Sequence, residues 1–258
     1  MEKIERIIIK VGSSSLCNHN GVLDLEKVLL LVQQIALLKK ENKQILLVTS
    51  GAIATGMGVV KLSEKPKEVA KKQALAAIGQ THLMHHYEVI FNMFKLNCAQ
   101  VLLNHDDFKE GERLEHLRQT LHALFEMEVI PIINENDALA VEEIKVGDND
   151  TLASLLVPIM SADLLVLISD IDGLYDKNPN LHADAKLILK VEHIDEKILQ
   201  MIEDKQTALG TGGMATKIKA ARYATQNHCH MVIMNGQDIH HLHELANGMC
   251  VGTWFKGE

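Results

Sequence analysis

Lys10 lies inside the apolar run Arg6–Gly12 (RIIIKVG), where a lysine has no packing role. An ammonium group without a partner is costly to bury, so this residue predicts a bound anion or an acid nearby. A second lysine, Lys217, follows a run of glycines near the other end of the chain. We expect Asp150 to pair with both lysines and to hold them in position.

Two short turns of small residues follow predicted strands, Gly12–Ser15 (GSSS) and Thr49–Ala52 (TSGA). Where a strand turns into a helix, small residues let backbone N–H groups face a phosphate or a carboxylate. Either turn alone is just as typical of a tight turn without a ligand. Two such turns at one edge of a sheet, with Lys10 beside the first, favour an anion site.

A glycine-rich loop, Leu209–Lys217 (LGTGGMATK), opens a predicted helix. It is not a Walker A loop, because Lys217 follows Thr216 instead of preceding a serine or threonine. It is not a dinucleotide fingerprint either, because no strand precedes it. Exposed N–H donors at a helix N-terminus, with a lysine in the first turn, still suit nucleotide phosphates. A flexible loop that only caps a helix is the alternative.

The stretch Ile132–Asp150 (IINENDALAVEEIKVGDND) carries six acids, three asparagines and one lysine directly after apolar residues. A solvated surface loop is the simplest interpretation. These acids would repel a substrate that was only an anion, whereas a zwitterion could place its α-ammonium group against them. Its carboxylates would then bind backbone donors elsewhere. We therefore interpret the loop as half of a pocket for an amino acid.

Two further patterns have ordinary structural explanations. Ser169–Pro179 (SDIDGLYDKNP) contains the turn dipeptides Asp-Gly and Asn-Pro, so it predicts either a hairpin or a flap over the base or ribose of a nucleotide. Two groups of histidines are predicted to be surface residues and not zinc ligands, because neither is joined by cysteines or acids in a recognised ligand pattern. They are His82, His85 and His86, and His240, His241 and His243.

The composition favours one globular domain with a large core. The chain has 258 residues, 47% hydrophobic and 23% charged. The net charge of -8 argues against nucleic acid or an anionic membrane as the main partner. No apolar stretch approaches the roughly 20 residues that span a bilayer, and no signal peptide opens the chain. Because the four cysteines are scattered, we expect reduced thiols and a cytoplasmic protein.

Short apolar strands alternate with amphipathic helices along the chain. This alternation predicts an α/β fold, a three-layer α/β/α sandwich with a central, mostly parallel sheet. In such sheets the ligand site lies beyond the carboxyl ends of the strands. The predicted strands are Arg6–Gly12, Gln44–Thr49, Ala99–Leu103, Val129–Ile133, Asp163–Ser169 and Met231–Met234, and the predicted helices are Leu25–Asn42, Lys67–Leu96, Arg113–Glu126, Thr151–Met160 and Thr216–Asn227, before a final helix and strand.

Together these segments resemble the amino acid kinase superfamily, and within it the enzymes that phosphorylate glutamate. The segments occur in family order along nearly the whole chain, and their combination is far more specific than any one of them. They are Ile7–Leu16 (IIIKVGSSSL), Val48–Gly56 (VTSGAIATG), Lys71–Gln80 (KKQALAAIGQ), Pro131–Ala140 (PIINENDALA), Val146–Ala153 (VGDNDTLA), Ser169–Pro179 and Gly210–Lys217 (GTGGMATK).

The resemblance implies ATP-dependent phosphorylation of the γ-carboxylate of L-glutamate to L-glutamyl 5-phosphate, the first step of proline biosynthesis. It implies that Lys10 and Lys217 stabilise the transferring phosphoryl group while Asp150 organises them. Mg²⁺ is then held mainly by phosphate oxygens and water, without a protein cage. The residues implied to bind glutamate are Ser50, Asp137 and Asn149, with Gly51, Ala52 and Asn134 lining the pocket; those implied to bind ATP are Lys10, Ser169, Asp170, Thr211, Gly212, Gly213, Met214, Ala215, Thr216 and Lys217.

The resemblance also implies a single kinase domain over residues 1–258, without the C-terminal PUA domain of many relatives. Residues 1–160 would form the glutamate-binding part and residues 161–258 the ATP-binding part. A homo-oligomer, dimer or tetramer, and feedback inhibition by proline are further expectations. Kinases of aspartate, acetylglutamate, carbamate or uridylate stay open as alternatives, and so does a non-catalytic regulatory protein on the same fold.

Overall fold

Strands and helices alternate in the computed structural model, which describes residues 3–18, 22–139, 149–179, 181–196, 198 and 213–258. The strands are β1 (Arg6–Val11), β2 (Gln44–Val48), β3 (Asn97–Leu103), β4 (Val129–Glu135), β5 (Leu164–Ser169), β6 (Lys190–Val191), β7 (His230–Asn235) and β8 (Thr253–Phe255). The α-helices are α1 (Ser13–Leu16), α2 (Leu25–Lys40), α3 (Ala52–Val59), α4 (Val69–Met93), α5 (Glu112–Glu126), α6 (Asn149–Met160), α7 (Met214–Gln226) and α8 (Leu242–Ala246), and 3₁₀ helices cover His105–Phe108 and Gly236–His241.

One sheet contains all the described strands, in the order β3-β4-β2-β1-β5-β7-β8-β6. Its neighbouring strands are parallel except at β7 and β8, so the predicted mostly parallel sandwich is confirmed. β1 pairs with β2 on one side and with β5 on the other. The strands that follow β1 in the chain are therefore added first on one side of it and later on the other, which makes β1 a topological switch point. Ligands of open parallel sheets bind at such a point, beyond the carboxyl ends of the strands.

The two faces of the sheet are covered by different helices. Ile7 and Ile9 of β1 belong to a buried cluster that includes side chains of α2 and α4. Ile8 belongs to a second buried cluster on the opposite face, together with side chains of α5, α6 and α7. Because side chains alternate along a strand, Lys10 shares the face of Ile8. The lysine is therefore directed towards the layer that carries α6 and α7. None of the described helices is both long and apolar enough to cross a bilayer.

Helix α3 was missed by the sequence reasoning, which expected only a turn of small residues there. Its sequence, AIATGMGV, contains two glycines, which are weak helix formers in isolation. The glycines matter because α3 and α4 nearly touch. A Cβ atom at Gly56 would lie 2.0 Å from the carbonyl oxygen of Leu75, and one at Gly79 would lie 1.8 Å from that of Ala52. Packing against α4 therefore fixes the position of α3 and of the turn before it.

We expect Gly79→Ala to destabilise the protein by about 1–3 kcal/mol or more, because the added methyl group forces α3 and α4 apart. Gly58→Ala is the matched control within α3, since among the described residues a Cβ atom there would meet only the Val22 side chain, at 3.4 Å. That control should be neutral or stabilising, as alanine is the better helix former. Urea denaturation measures both variants, and equal effects would contradict the close approach of the helices.

Candidate active site

Asp150 lies between two lysines at the carboxyl edge of the sheet. The distance from Lys10 Nζ to Asp150 Oδ1 is 2.5 Å, and that from Lys217 Nζ to Asp150 Oδ2 is 2.9 Å. Lys10 belongs to β1, Asp150 to the first turn of α6, and Lys217 to the first turn of α7. The exposed fractions of Lys10, Asp150 and Lys217 are 8%, 0% and 4%. The convergence of the two ammonium groups that the sequence predicts is thus confirmed.

The electrostatics of this cluster favour an anionic ligand. Burial by itself would raise the pKa of Asp150, but the charges of Lys10 and Lys217 and their hydrogen bonds outweigh it and lower that pKa. The carboxylate is therefore ionised at neutral pH. Two ammonium groups and one carboxylate leave one positive charge in excess, in a place largely screened from water. Such a charge attracts an anion more strongly than an exposed lysine does.

The described residues leave room at the start of α7 beside this cluster. Gly213 caps the helix, and no atom of a described residue would lie within 4 Å of a Cβ atom at this position. Thr216 Oγ1 donates a hydrogen bond of 2.8 Å to the Gly213 carbonyl oxygen, so this side chain turns back onto the first turn. Of the residues assigned to the ATP loop, Gly213, Met214, Ala215, Thr216 and Lys217 are described at this helix start, whereas Thr211 and Gly212 lie outside the described residues.

A second cluster consists of neutral amides and a hydroxyl group. Asn149 Nδ2 lies 2.7 Å from the Thr49 carbonyl oxygen, 2.7 Å from Ser50 Oγ and 3.0 Å from Asn134 Oδ1. Because its nitrogen is committed to these acceptors, Asn149 Oδ1 faces away from them, and no described residue donates to it. Ser50 Oγ accepts from Asn149, which leaves the hydroxyl hydrogen of Ser50 for another acceptor. Asn149 and Ser50 thus offer a ligand one acceptor, Asn149 Oδ1, and one donor, the Ser50 hydroxyl group, side by side.

A cavity of about 240 Å³ lies next to this amide cluster, and Ala52 and Asp137 are among its lining residues. Gly51 precedes Ala52 and caps α3 with φ of 104°, a left-handed conformation that favours glycine. No atom of a described residue would lie within 4 Å of a Cβ atom at Gly51, so none of these residues blocks close approach to the backbone at the start of α3. The structure thus brings Gly51, Ala52 and Asp137 to the neighbourhood of Ser50, whereas Asp148 lies outside the described residues.

Ser169 and Asp170 lie at the end of β5, the strand beside β1. Ser169 Oγ donates a 3.0 Å hydrogen bond to Asp170 Oδ1. Further along, Asp172 accepts hydrogen bonds of 2.7 Å each from the Tyr175 hydroxyl and from Asn235 Nδ2. These two hydrogen bonds lower the pKa of Asp172, and the one from Tyr175 has the larger effect. The hydrogen bond from Asn235 ties the segment after β5 to the end of β7, so two strand ends are joined on this side of Lys10.

The sequence reasoning assigned no role to Gln80, although the structure connects it to the amide cluster. Asn134 Nδ2 donates to Gln80 Oε1 at 2.9 Å, and Gln80 Nε2 donates to Gln100 Oε1 at 3.0 Å. Gln80 is only 9% exposed and lines the same cavity as Asp137. The sequence did carry one indication of a role for Gln80, since this polar residue lies on the buried face of a predicted helix. Asn235 was missed as well, and its place at the end of a predicted strand was the only indication.

Comparison with known proteins fits this arrangement. The model of the amino acid kinase family matches residues 5–235. The glutamate 5-kinase of Caldanaerobacter subterraneus subsp. tengcongensis is 48% identical over 250 residues, which cover 97% of this chain and 67% of that relative. The glutamate 5-kinase of Clostridium tetani is 46% identical over 256 residues, which cover 99% of this chain and 96% of that relative. The chain belongs to the amino acid kinase family, and within it to the glutamate 5-kinases.

A solved structure shares the fold of this amino acid kinase at low sequence identity. The carbamate kinase of Giardia lamblia bound to AMP-PNP superposes with a TM-score of 0.69 and 17% identity, covering 100% of both chains. At that identity the likeness concerns the fold alone. The three-layer architecture is therefore shared between two proteins that differ widely in sequence.

We expect Asp150→Asn to lower the free energy of unfolding at neutral pH by about 3–5 kcal/mol, because two ammonium groups would be left buried together. The folded-state pKa of Asp150 is lowered, so its stabilisation is complete above the unfolded-chain value and is lost as the pH falls through the folded value. The difference between wild type and variant should therefore shrink below about pH 4.

Urea denaturation across this pH range measures the effect of Asp150→Asn. Asp184→Asn is the control, because it removes an aspartate–lysine ion pair with Lys177 that is exposed to solvent. It should change stability little, since exposed ion pairs contribute little. A difference between wild type and Asp150→Asn that persists undiminished in acid would contradict the assignment of an ionised Asp150.

Proposed function

We propose that this protein transfers the γ-phosphoryl group of ATP to the side-chain carboxylate of L-glutamate, giving L-glutamyl 5-phosphate, the first step of proline biosynthesis. The observation that carries the proposal is the pairing of Lys10 and Lys217 with one buried aspartate beside an uncharged amide cluster. The first feature suits a migrating phosphoryl group, and the second suits the headgroup of an amino acid. The similarity to glutamate 5-kinases over nearly the whole chain supports the same reaction.

In the proposed glutamate complex, the ammonium group binds acceptors and the α-carboxylate binds donors. Asn149 Oδ1 and the Asp137 carboxylate are the acceptors, which a free ammonium group satisfies and an acetylated one does not. The Ser50 hydroxyl and the backbone N–H groups that begin α3, near Gly51 and Ala52, are the donors, and the helix N-terminus adds a favourable dipole. Asn134 supports the pocket from the end of β4. This recognition favours free glutamate over acetylglutamate, while aspartate differs by one methylene group only.

The proposed chemistry needs no general base, because the attacking carboxylate is already ionised. One oxygen of the glutamate side chain attacks the γ-phosphorus, the bond from phosphorus to the β,γ-bridging oxygen breaks, and ADP leaves with that oxygen. Catalysis then consists of in-line positioning and neutralisation of charge on the transferring group. Lys10 and Lys217 supply the positive charge, and Asp150 keeps the two ammonium groups close enough to act on one phosphoryl group.

We assign the ATP side of the site to residues from 161 onwards, and the glutamate side to residues 1–160, within one kinase domain. Ser169 and Asp170 follow β5, and the loop that ends at Lys217 opens α7. The similarity in fold to a carbamate kinase bound to AMP-PNP is compatible with this division.

Mg²⁺ fits the proposed site as a companion of the phosphates. Both oxygens of Asp150 are engaged by lysines, and among the described residues no cluster of three or more histidine, cysteine, aspartate or glutamate side chains is arranged to hold a cation. We therefore propose that phosphate oxygens and water hold the ion. When bound, it would neutralise charge on the phosphates.

We also propose a homo-oligomer that forms through the outer face of α4, beside the edge strand β3. This face exposes Ile78, Val89 and Met93 by 37%, 45% and 69%. Along this face, Ile78 lies four residues before His82, and Val89 lies four residues after His85. The face therefore has the same order of apolar residue and histidine from either end. Two copies of the helix can pair antiparallel with these residues facing each other. Self-matching of one surface is what a two-fold dimer requires. Whether two such dimers join into a tetramer is left to the mass measurement below.

Feedback inhibition by proline and a cytoplasmic location belong to the same proposal. Proline carries the carboxylate and a charged amine of an amino acid, so it can compete for the groups proposed to bind the glutamate headgroup. All four cysteines are free, and none of them is needed as a disulfide partner, which suits a reducing compartment.

We expect glutamate-dependent release of ADP to fall by at least about 100-fold in Lys10→Ala and in Lys217→Ala, because each removes positive charge from the transferring group. Lys219→Ala is the control, since this exposed lysine lies on the same helix as Lys217. A coupled assay of ADP release measures the rates, and circular dichroism checks that the variants stay folded. Full activity in either variant would rule out the proposed role of its lysine.

The same assay, run with glutamate, aspartate, acetylglutamate and carbamate, tests the proposed substrate. Turnover with glutamate and little with acetylglutamate is expected, because acetylation removes the ammonium charge. Equal rates with both would overturn glutamate as the substrate. Binding of ATP without turnover on any acceptor would favour the alternative of a non-catalytic protein on this fold.

We expect Val89→Glu to shift the protein to a smaller mass in light scattering after size exclusion, because a charge is placed in the proposed contact. Leu181→Glu is the control, since Leu181 is 73% exposed and lies between β5 and β6. An unchanged mass in the first variant, or a monomeric wild type, would refute the interface on α4.

A further inference from the structure

A directed chain of side-chain amides runs from the proposed glutamate pocket into α4. Asn149 Nδ2 donates to Asn134 Oδ1 at 3.0 Å, Asn134 Nδ2 donates to Gln80 Oε1 at 2.9 Å, and Gln80 Nε2 donates to Gln100 Oε1 at 3.0 Å. In each link a nitrogen donates and an oxygen accepts. The hydrogen bonds of this amide chain therefore all run in one direction, through α6, β4, α4 and β3.

The direction of this amide chain, together with the Thr49 carbonyl oxygen, decides what the pocket offers a ligand. An asparagine side chain can rotate so that its oxygen and nitrogen exchange places, and its partners select the orientation. With Asn149 Nδ2 held by Asn134 Oδ1, Ser50 Oγ and the Thr49 carbonyl oxygen, Asn149 presents its oxygen outwards. If Asn149 turned over, an N–H group would face the position proposed for the ammonium group of glutamate. The two would then repel each other.

Asn134 is the link that transmits this selection, and it is almost fully buried, with an exposed fraction of 2%. Its oxygen accepts from Asn149 and from the backbone N–H of Glu135, the latter at 2.9 Å. Its nitrogen donates to Gln80. Without an acceptor at Gln80, the buried Nδ2 group of Asn134 would lose its partner, which costs free energy and favours other orientations of this amide.

Gln80 is suited to this task by its own surroundings. It is 9% exposed, and Gln100 fixes which of its two polar atoms faces Asn134. The preceding residue, Gly79, has no side chain where α4 passes the Ala52 carbonyl oxygen, so the backbone that carries Gln80 lies close to the start of α3. Gln80 also lines the cavity that Ala52 and Asp137 line.

We propose that Gln80 is a positioning residue, which sets the amide orientation of Asn134 and through it that of Asn149, and so determines the affinity for the amino-acid substrate. The proposal deepens the function proposed above and rests on it for the identity of the substrate. The amide chain itself does not depend on that function, because its hydrogen bonds lie within the protein. The proposal predicts a loss of amino-acid binding with little change on the ATP side of the site.

We expect Gln80→Met, which keeps the length of the side chain and removes both hydrogen bonds, to raise KM for glutamate about tenfold. KM for ATP should stay within about twofold, and kcat should change little. Gln80→Glu should restore most of the affinity, because an oxygen of its carboxyl group still accepts from Asn134, and Gln100 can turn its amide to suit the other oxygen.

Gln34→Met is the matched control. Gln34 is buried to a similar degree, with an exposed fraction of 8%, and accepts a hydrogen bond of 3.3 Å from the backbone N–H of His243, away from the pocket. It should lose stability as Gln80→Met does and keep its KM for glutamate. Equal changes of KM in the two variants, or no change in Gln80→Met, would refute the proposal. A Gln80→Glu variant as weak as Gln80→Met would also refute it.

A second measurement keeps the test independent of enzyme activity. With nitrogen-15 labelling of asparagine, the side-chain amide signals of Asn134 and Asn149 should shift, and their protons should exchange faster with solvent, in Gln80→Met. They should stay close to wild type in Gln80→Glu and in Gln34→Met. Unchanged signals in Gln80→Met would overturn the amide chain. If the wild type showed no turnover with glutamate but the signals of Gln80→Met changed as expected, the proposed function would be refuted and the amide chain would be supported.

Discussion

The burial of Asp150 between Lys10 and Lys217 is the constraint on which the rest of the structure depends. Three charged groups from β1, α6 and α7 are removed from water, and each would be costly to bury alone. They are tolerated together because the carboxylate faces one ammonium group with each oxygen. The parallel sheet makes this possible, since it brings the end of β1 and the starts of α6 and α7 to the same edge.

The two halves of the site solve different electrostatic problems. The half that contains Lys10 and Lys217 uses full charges, which suit a group whose negative charge must be neutralised during transfer. The half around Asn149 and Ser50 uses amides and a hydroxyl group, whose orientation can be fixed by hydrogen bonds. Dipoles can present a donor and an acceptor side by side, as a zwitterionic headgroup requires.

The fold was largely predictable because its elements differ clearly in hydrophobic period. The buried strands and the long helices α2, α4 and α5 were found to within a few residues of their ends. Helix α3 was missed because its small residues form a helix only against α4, and β6 because two residues become a strand only beside β8. Gln80 was missed because a sequence pattern identifies a buried helix face but not the amide that lies opposite it. Thr211 and Gly212 lie outside the described residues, so their assignment to the ATP loop stays a prediction.

The sequence by itself determined which residues stand at the site, because every strand of a parallel sheet delivers the residues after it to one edge. Ser50, Asn134 and Ser169 could be named for that reason, and Lys10 because a lysine inside an apolar run has no packing role. The tertiary structure decided which of them meet and how their polar atoms are turned. Asp150 and Lys217 are 67 residues apart in the chain, and the ion pair between them depends on how α6 packs beside α7. The orientation of Asn149 is set likewise by acceptors on other elements, the Thr49 carbonyl oxygen, Ser50 Oγ and Asn134 Oδ1, which no local pattern connects.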